Sequence, residues 1–121
     1  MEEPLNPVSL EHEITQTLNS VSNSIGKVSK AYDKWKTAEL LFKKEYAIAY
    51  RTAEGSIEDR KQKATEESYP AADEMKDAEV KYKSLLDHQR ADRDKLSALQ
   101  TLAKSVFSPH GRGWSAPRCG Q

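Results

Sequence analysis

The segment Ala53-Glu54-Gly55-Ser56-Ile57-Glu58-Asp59 decides the fold. Glycine is the residue type that most readily ends a helix in a left-handed conformation, which makes Gly55 a stop. Ser56, with Asp59 three positions on, imitates the capping box that opens a new helix. One helix is therefore expected to end near Glu54 and another to begin at Ile57, with residues 54–56 as the turn between them.

Outward from the turn, both arms carry an apolar repeat. On the N-terminal side it runs through Ile14, Leu18, Val21, Ile25, Val28, Tyr32, Trp35, Phe42, Tyr46 and Ala49, with Glu39 the one polar interruption. On the C-terminal side Ile57, Lys61, Ala64, Ser68, Ala71, Met75, Ala78, Tyr82 and Leu85 continue through Gln89 and Asp92 to Leu96, Leu99, Ala103 and Val106. Steps alternating four and three are the heptad signature of a coiled-coil seam. Folded at Gly55, the repeats register on each other: Trp35 falls opposite Met75, Tyr32 opposite Ala78, Val28 opposite Tyr82 and Ile14 opposite Leu96. The fold class is thus all-α, a long antiparallel helical hairpin. Helix 1 is expected over residues 7–54, about 65 Å at 1.5 Å per residue, and helix 2 over 57–107.

The remaining boundaries follow from local chemistry. Residues 1–6 form an arm, and Asn6-Pro7 can open helix 1, asparagine capping and proline filling the first turn. Pro70 removes a hydrogen bond inside helix 2 and is expected to kink or split it. Ser108-Pro109-His110-Gly111 ends that helix, leaving 108–121 as an irregular basic tail. Asn19 to Ser24 is rich in serine and asparagine, which marks the weaker half. There Leu18 would face Asp92 and Val21 would face Gln89, polar layers that either set the register or face another subunit.

Composition narrows the function classes. The 121 residues are 36% hydrophobic and 31% charged with no formal net charge, so bulk electrostatics selects neither nucleic acid nor membrane. A single cysteine, Cys119, leaves no internal disulfide. No stretch is apolar enough to span a bilayer, and a soluble protein of the cytoplasm is expected, with no membrane contact. Local charge is less even: Glu2, Glu3, Glu11 and Glu13 near the start against Lys104, Arg112 and Arg118 near the end. These ends either neutralise each other across the hairpin or leave the tail for an acidic partner.

His12, His88 and His110 are scattered, and no His, Cys, Asp and Glu set has ligand spacing on one helical face. The carboxylates interleave with Lys and Arg at helical spacing, as in a solvated, salt-bridged face. No nucleophile–base pair and no glycine-rich phosphate loop is visible, so no catalysis, metal or cofactor is expected. Trp35, Tyr32, Phe42, Tyr46 and Tyr82 read as seam residues rather than base-stacking platforms. Two surfaces remain. Arg51, Arg60, Lys61 and Lys63 gather around the turn and are candidates for contact with single-stranded DNA or an acidic partner. Leu40, Leu41, Ala47 and Ile48 lie behind the helix 1 seam, an apolar strip expected to join copies of the chain. Trp114, an indole in the tail, either folds back on the hairpin or anchors a partner.

Ala53-Glu54-Gly55-Ser56-Ile57-Glu58-Asp59-Arg60 with Ala64, then Ala78-Glu79-Val80-Lys81-Tyr82, then Leu96-Ser97-Ala98-Leu99-Gln100-Thr101 resembles a family of small bacteriophage-encoded helical proteins. That family has an EG(S/T)xxxR turn, an AExxY segment and a closing LxALQ(S/T) motif, and is found near single-strand-annealing recombinase or single-stranded-DNA-binding genes. The resemblance covers roughly residues 40–106 and excludes the Pro-Arg-Cys-Gly tail. It implies a phage accessory protein in the host cytoplasm, acting with recombination or replication proteins. Two alternatives stay open: an inhibitor of a host enzyme or anti-phage defence complex, and a purely structural coiled-coil scaffold.

Overall fold

The computed structural model describes residues 6–107. They form two helices packed against each other, α1 (Pro7–Thr52) and α2 (Ile57–Phe107), the helical hairpin that the periodicity predicts. Trp114, Cys119 and the rest of the 108–121 tail lie outside the described residues, as does the 1–5 part of the arm. The chain divides into two compact units, Ile25–Asp87 and Met1–Ser24 with His88–Gln121.

Each helix end has an identifiable cause. The Ser9 amide donates to Asn6 Oδ1 at 2.9 Å, so Asn6 caps α1 and Pro7 occupies the first turn, where its missing N–H costs nothing. At the other end α1 stops at Thr52, two residues earlier than expected. Thr52 Oγ1 donates to the Ile48 carbonyl at 2.9 Å and more weakly, at 3.4 Å, to that of Ala49, the first of the last four carbonyls that helix geometry leaves without an amide donor. Gly55 takes φ 109°, a conformation closed to ordinary side chains, and an added Cβ would lie 2.9 Å from Asp59 Oδ2. The capping box then forms as the sequence predicts: the Asp59 amide donates to Ser56 Oγ at 3.1 Å and the Ser56 amide to Asp59 Oδ2 at 3.2 Å.

Pro70 does not split α2, which runs unbroken from Ile57 to Phe107. Proline and the residue four before it, Glu66, are both exposed. The carbonyl that loses its intrahelical donor is therefore free to bond water, and packing of the opposite face holds the helix together.

Within Ile25–Asp87, the α2 stripe is buried as read at Ala64, Ser68, Ala71 and Ala78, all below a tenth exposed, whereas its first two positions, Ile57 and Lys61, are exposed beside the turn. The α1 stripe needs a correction. From Thr17 to Ala31 every second seam position sits one residue earlier than its apolar content suggests, whereas nearer the turn Tyr46 stays more covered than the exposed Glu45. Ala31 and Ala38 turn inward, while Ile25 is 56% exposed and Tyr32 45%. The same shift holds in the other unit, where Thr17 is buried and Leu18 is 52% exposed. Two helices alone close over a narrow line, and small side chains along it allow a tighter approach than leucine or isoleucine would. Bulkier residues then flank that line, covering it from the side.

The polar layers are corrected as well. Gln89, 6% exposed, donates its amide to Ser24 Oγ at 3.0 Å, and Ser24 in turn donates to the Val21 carbonyl at 2.7 Å. Ser20 donates to Asp92 at 2.6 Å. Serines of the Asn19–Ser24 stretch, rather than Leu18 and Val21, answer these polar groups. What looked like weakness in composition supplies the partners that burial requires.

Candidate interaction surfaces

Six aromatic residues of the Ile25–Asp87 unit assemble in two groups. Tyr82 of α2 stacks on Trp35, with ring centroids 5.4 Å apart and planes 25° from parallel. Tyr32 meets both rings edge-on, at 5.9 Å from Trp35 and 5.3 Å from Tyr82. Long helical side chains lean toward their own N-terminus, so on antiparallel helices Trp35 and Tyr82 lean toward each other. Lys36 Nζ lies 4.4 Å from the Trp35 ring centre and pairs with Glu39 at 3.3 Å. Trp35 is thus engaged within the hairpin, as a core residue is and a free stacking platform is not.

The second group is a ladder of Phe42, Tyr46 and Tyr50, one helical turn apart, with centroid spacings of 6.3 and 6.5 Å. Arg60 closes it. Its guanidinium sits 4.7 Å from the Tyr50 ring centre and Nε donates to the Tyr50 carbonyl at 3.3 Å. This carbonyl belongs to the last turn of α1, so Arg60 caps one helix from the first turn of the next.

The turn cations are therefore not one patch. Arg60 is drawn into the hairpin, whereas Arg51, Lys61 and Lys63 are exposed. Lys61 and Lys63 are two residues apart and point to different sides of α2. Lys63 pairs with Glu67 at 3.4 Å, and Lys61 shares a shallow depression with Glu58 and Glu66. Further along, Lys83 bonds Glu79 at 2.7 Å, and this hydrogen bond and attraction raise its pKa above the ordinary 10.5.

Leu40, Leu41 and Ile48 are 67%, 42% and 40% exposed. They do not form one strip. Leu41 and Ile48, seven residues apart, share a flank of α1, while Leu40 is turned about 100° from Leu41 onto the outer face. Leu41 lies at the edge of a groove of about 640 Å³ between the helices. Its floor is Ala31, Ala38 and Ala78, and Leu85 lines its other edge. Lys30, Asp33 and Lys34 form the α1 rim; Glu74, Asp77 and Lys81 form the α2 rim. Reading the larger apolar residue as the seam residue hid this groove. The signal for it was the heptad of alanines at 31, 38, 71 and 78.

Among the described residues no group of His, Cys, Asp and Glu could hold a metal ion, and no helix is long and apolar enough to cross a membrane. Comparison of the chain with protein-family models, with curated proteins and with solved structures finds no match.

Proposed function

We propose that this chain is a non-catalytic phage accessory protein that self-associates through its hairpin and assists recombination or replication proteins on DNA in the host cytoplasm. One observation carries the self-association: Leu41 and Ile48 stay two-fifths exposed along one flank of a helix whose own seam is already closed. Burying a leucine or isoleucine stabilises by about 1.5–3 kcal/mol, so a paired hairpin gains by covering that flank. The placement in recombination or replication rests on the phage-family motifs. Arg51, Lys61 and Lys63 are the cations left to touch phosphate, as Arg60 is engaged by Tyr50.

Light scattering on the purified chain tests the first part, and a strict monomer at high micromolar concentration would overturn it. Titration of single-stranded DNA at two salt concentrations tests the second. Binding that weakens with salt and with Arg51→Glu plus Lys61→Glu supports a DNA role, because phosphate contacts release counterions. No binding at low salt removes it. The outward-facing Leu40, 67% exposed, favours the inhibitor reading as the runner-up. In that case a host protein recovered by the wild type is lost with Leu40→Ser.

A further inference from the structure

The groove between α1 and α2 is flanked by rims of opposite sign. Lys30, Asp33 and Lys34 make the α1 rim net positive, and Glu74, Asp77 and Lys81 make the α2 rim net negative. None of Lys30, Lys34, Glu74 and Asp77 is ion-paired within the chain among the described residues. Between the rims lies an alanine floor that lets another helix come close, with Leu41 and Leu85 as its larger edges. A surface carrying both signs around an apolar centre is what an isologous two-fold contact needs, since each copy must offer what the other lacks.

We infer that this groove docks a second copy of the chain, with α1 of each copy lying against α2 of the other and both turns at the same end. The inference rests on the self-association proposed above and specifies its face and direction. Charge selects the direction. Two hairpins placed face to face by a two-fold axis can run with their turns together or opposed. Opposed turns set α1 on α1 and α2 on α2, which brings Lys30 and Lys34 onto their own equivalents and Glu74 and Asp77 onto theirs.

Turns together set α1 on the other copy's α2. Counting back from the level of Tyr50 and Arg60, which touch, Lys34 comes level with Asp77 of the second copy to within about one residue. Lys30 then lies within a turn of that same Asp77, and Lys81 about one turn from Asp33. Each lysine on the two rims gains a carboxylate, and the exposed Leu41 is covered.

The experiment uses two charge-reversed full-length chains, Lys30→Glu/Lys34→Glu and Glu74→Lys/Asp77→Lys. Each alone is expected to weaken self-association about ten-fold or more in sedimentation at low salt, because both of its rims then carry one sign. An equimolar mixture should associate as the wild type does, since each reversed rim then meets its complement. Wild-type association by either chain alone, or no recovery on mixing, overturns the inference while the proposed self-association stands. A monomeric wild type sinks both.

Direction is read on a chain that keeps every rim charge. Glu54→Cys in a Cys119→Ser background carries a spin label at the exposed turn. Labels within about 20 Å across the pair agree with turns together; about 60 Å, as 1.5 Å per residue gives for opposed turns, overturns it. This measurement decides the matter even if a charge-reversed chain loses its circular dichroism signal.

Discussion

Gln89 and Ser24 meet across the helix pair, the buried side-chain amide donating to the serine hydroxyl at 3.0 Å. The hydroxyl in turn donates a hydrogen bond to the Val21 carbonyl, so one serine satisfies a buried donor and completes a short chain of bonds. Polar layers of this kind fix register because a slip by one residue leaves the amide with no partner.

Ser24→Ala should therefore destabilise more than its size suggests. It strands the Gln89 amide at a cost of about 1–3 kcal/mol. Adding Gln89→Leu to Ser24→Ala should recover most of that loss, because the polar group and its desolvation penalty go together. Urea unfolding followed by circular dichroism reads both, and additive losses in the double variant would contradict the pairing.

Leu10 and Leu18 test the corrected seam. Leu10 is wholly buried and Leu18 is 52% exposed, although only Leu18 falls on the apolar repeat. Leu10→Ala should cost about 2–5 kcal/mol and Leu18→Ala less than about 1.5 kcal/mol, since a half-exposed side chain leaves no closed cavity. The reverse order would return the seam to Leu18.

Arg60 separates a structural cation from a partner-binding one. Arg60→Lys keeps the charge but loses the planar Nε donor to the Tyr50 carbonyl and the flat guanidinium near its ring. It should lower stability by about 0.5–2 kcal/mol, close to the loss in Arg60→Ala. Unchanged melting in both variants would free Arg60 for a role in phosphate contact.

Pro70 sits exposed inside a continuous helix. Pro70→Ala restores an N–H for the Glu66 carbonyl and removes the ring from the preceding turn, so the variant should be more stable by up to about 3 kcal/mol. A melting temperature that falls instead would mean that the ring or the local bend it imposes is part of the native packing.

Gly55 carries the reversal. Gly55→Ala forces a Cβ into a positive-φ conformation and against Asp59 Oδ2 at 2.9 Å, breaking the capping box that opens α2. The expected loss is about 1–2 kcal/mol, with Gly55→Asn milder because asparagine tolerates positive φ better. Equal melting of all three chains would show that the turn is not held by this geometry.

Turn chemistry and heptad spacing are local properties, readable from neighbours in the chain. For that reason the amino-acid sequence by itself determined the reversal at Gly55, the Asn6 and Ser56 caps, the two helices and the inward face of α2. Ala31, Ala38 and Thr17 displacing Ile25, Tyr32 and Leu18 depends on how closely two backbones approach, which no single helix records. Ser24 answering Gln89, Tyr82 leaning to Trp35 and Arg60 reaching back to Tyr50 likewise join residues far apart in the chain. Such contacts arise only once both helices are in place, because side-chain direction and close packing act across the gap between them.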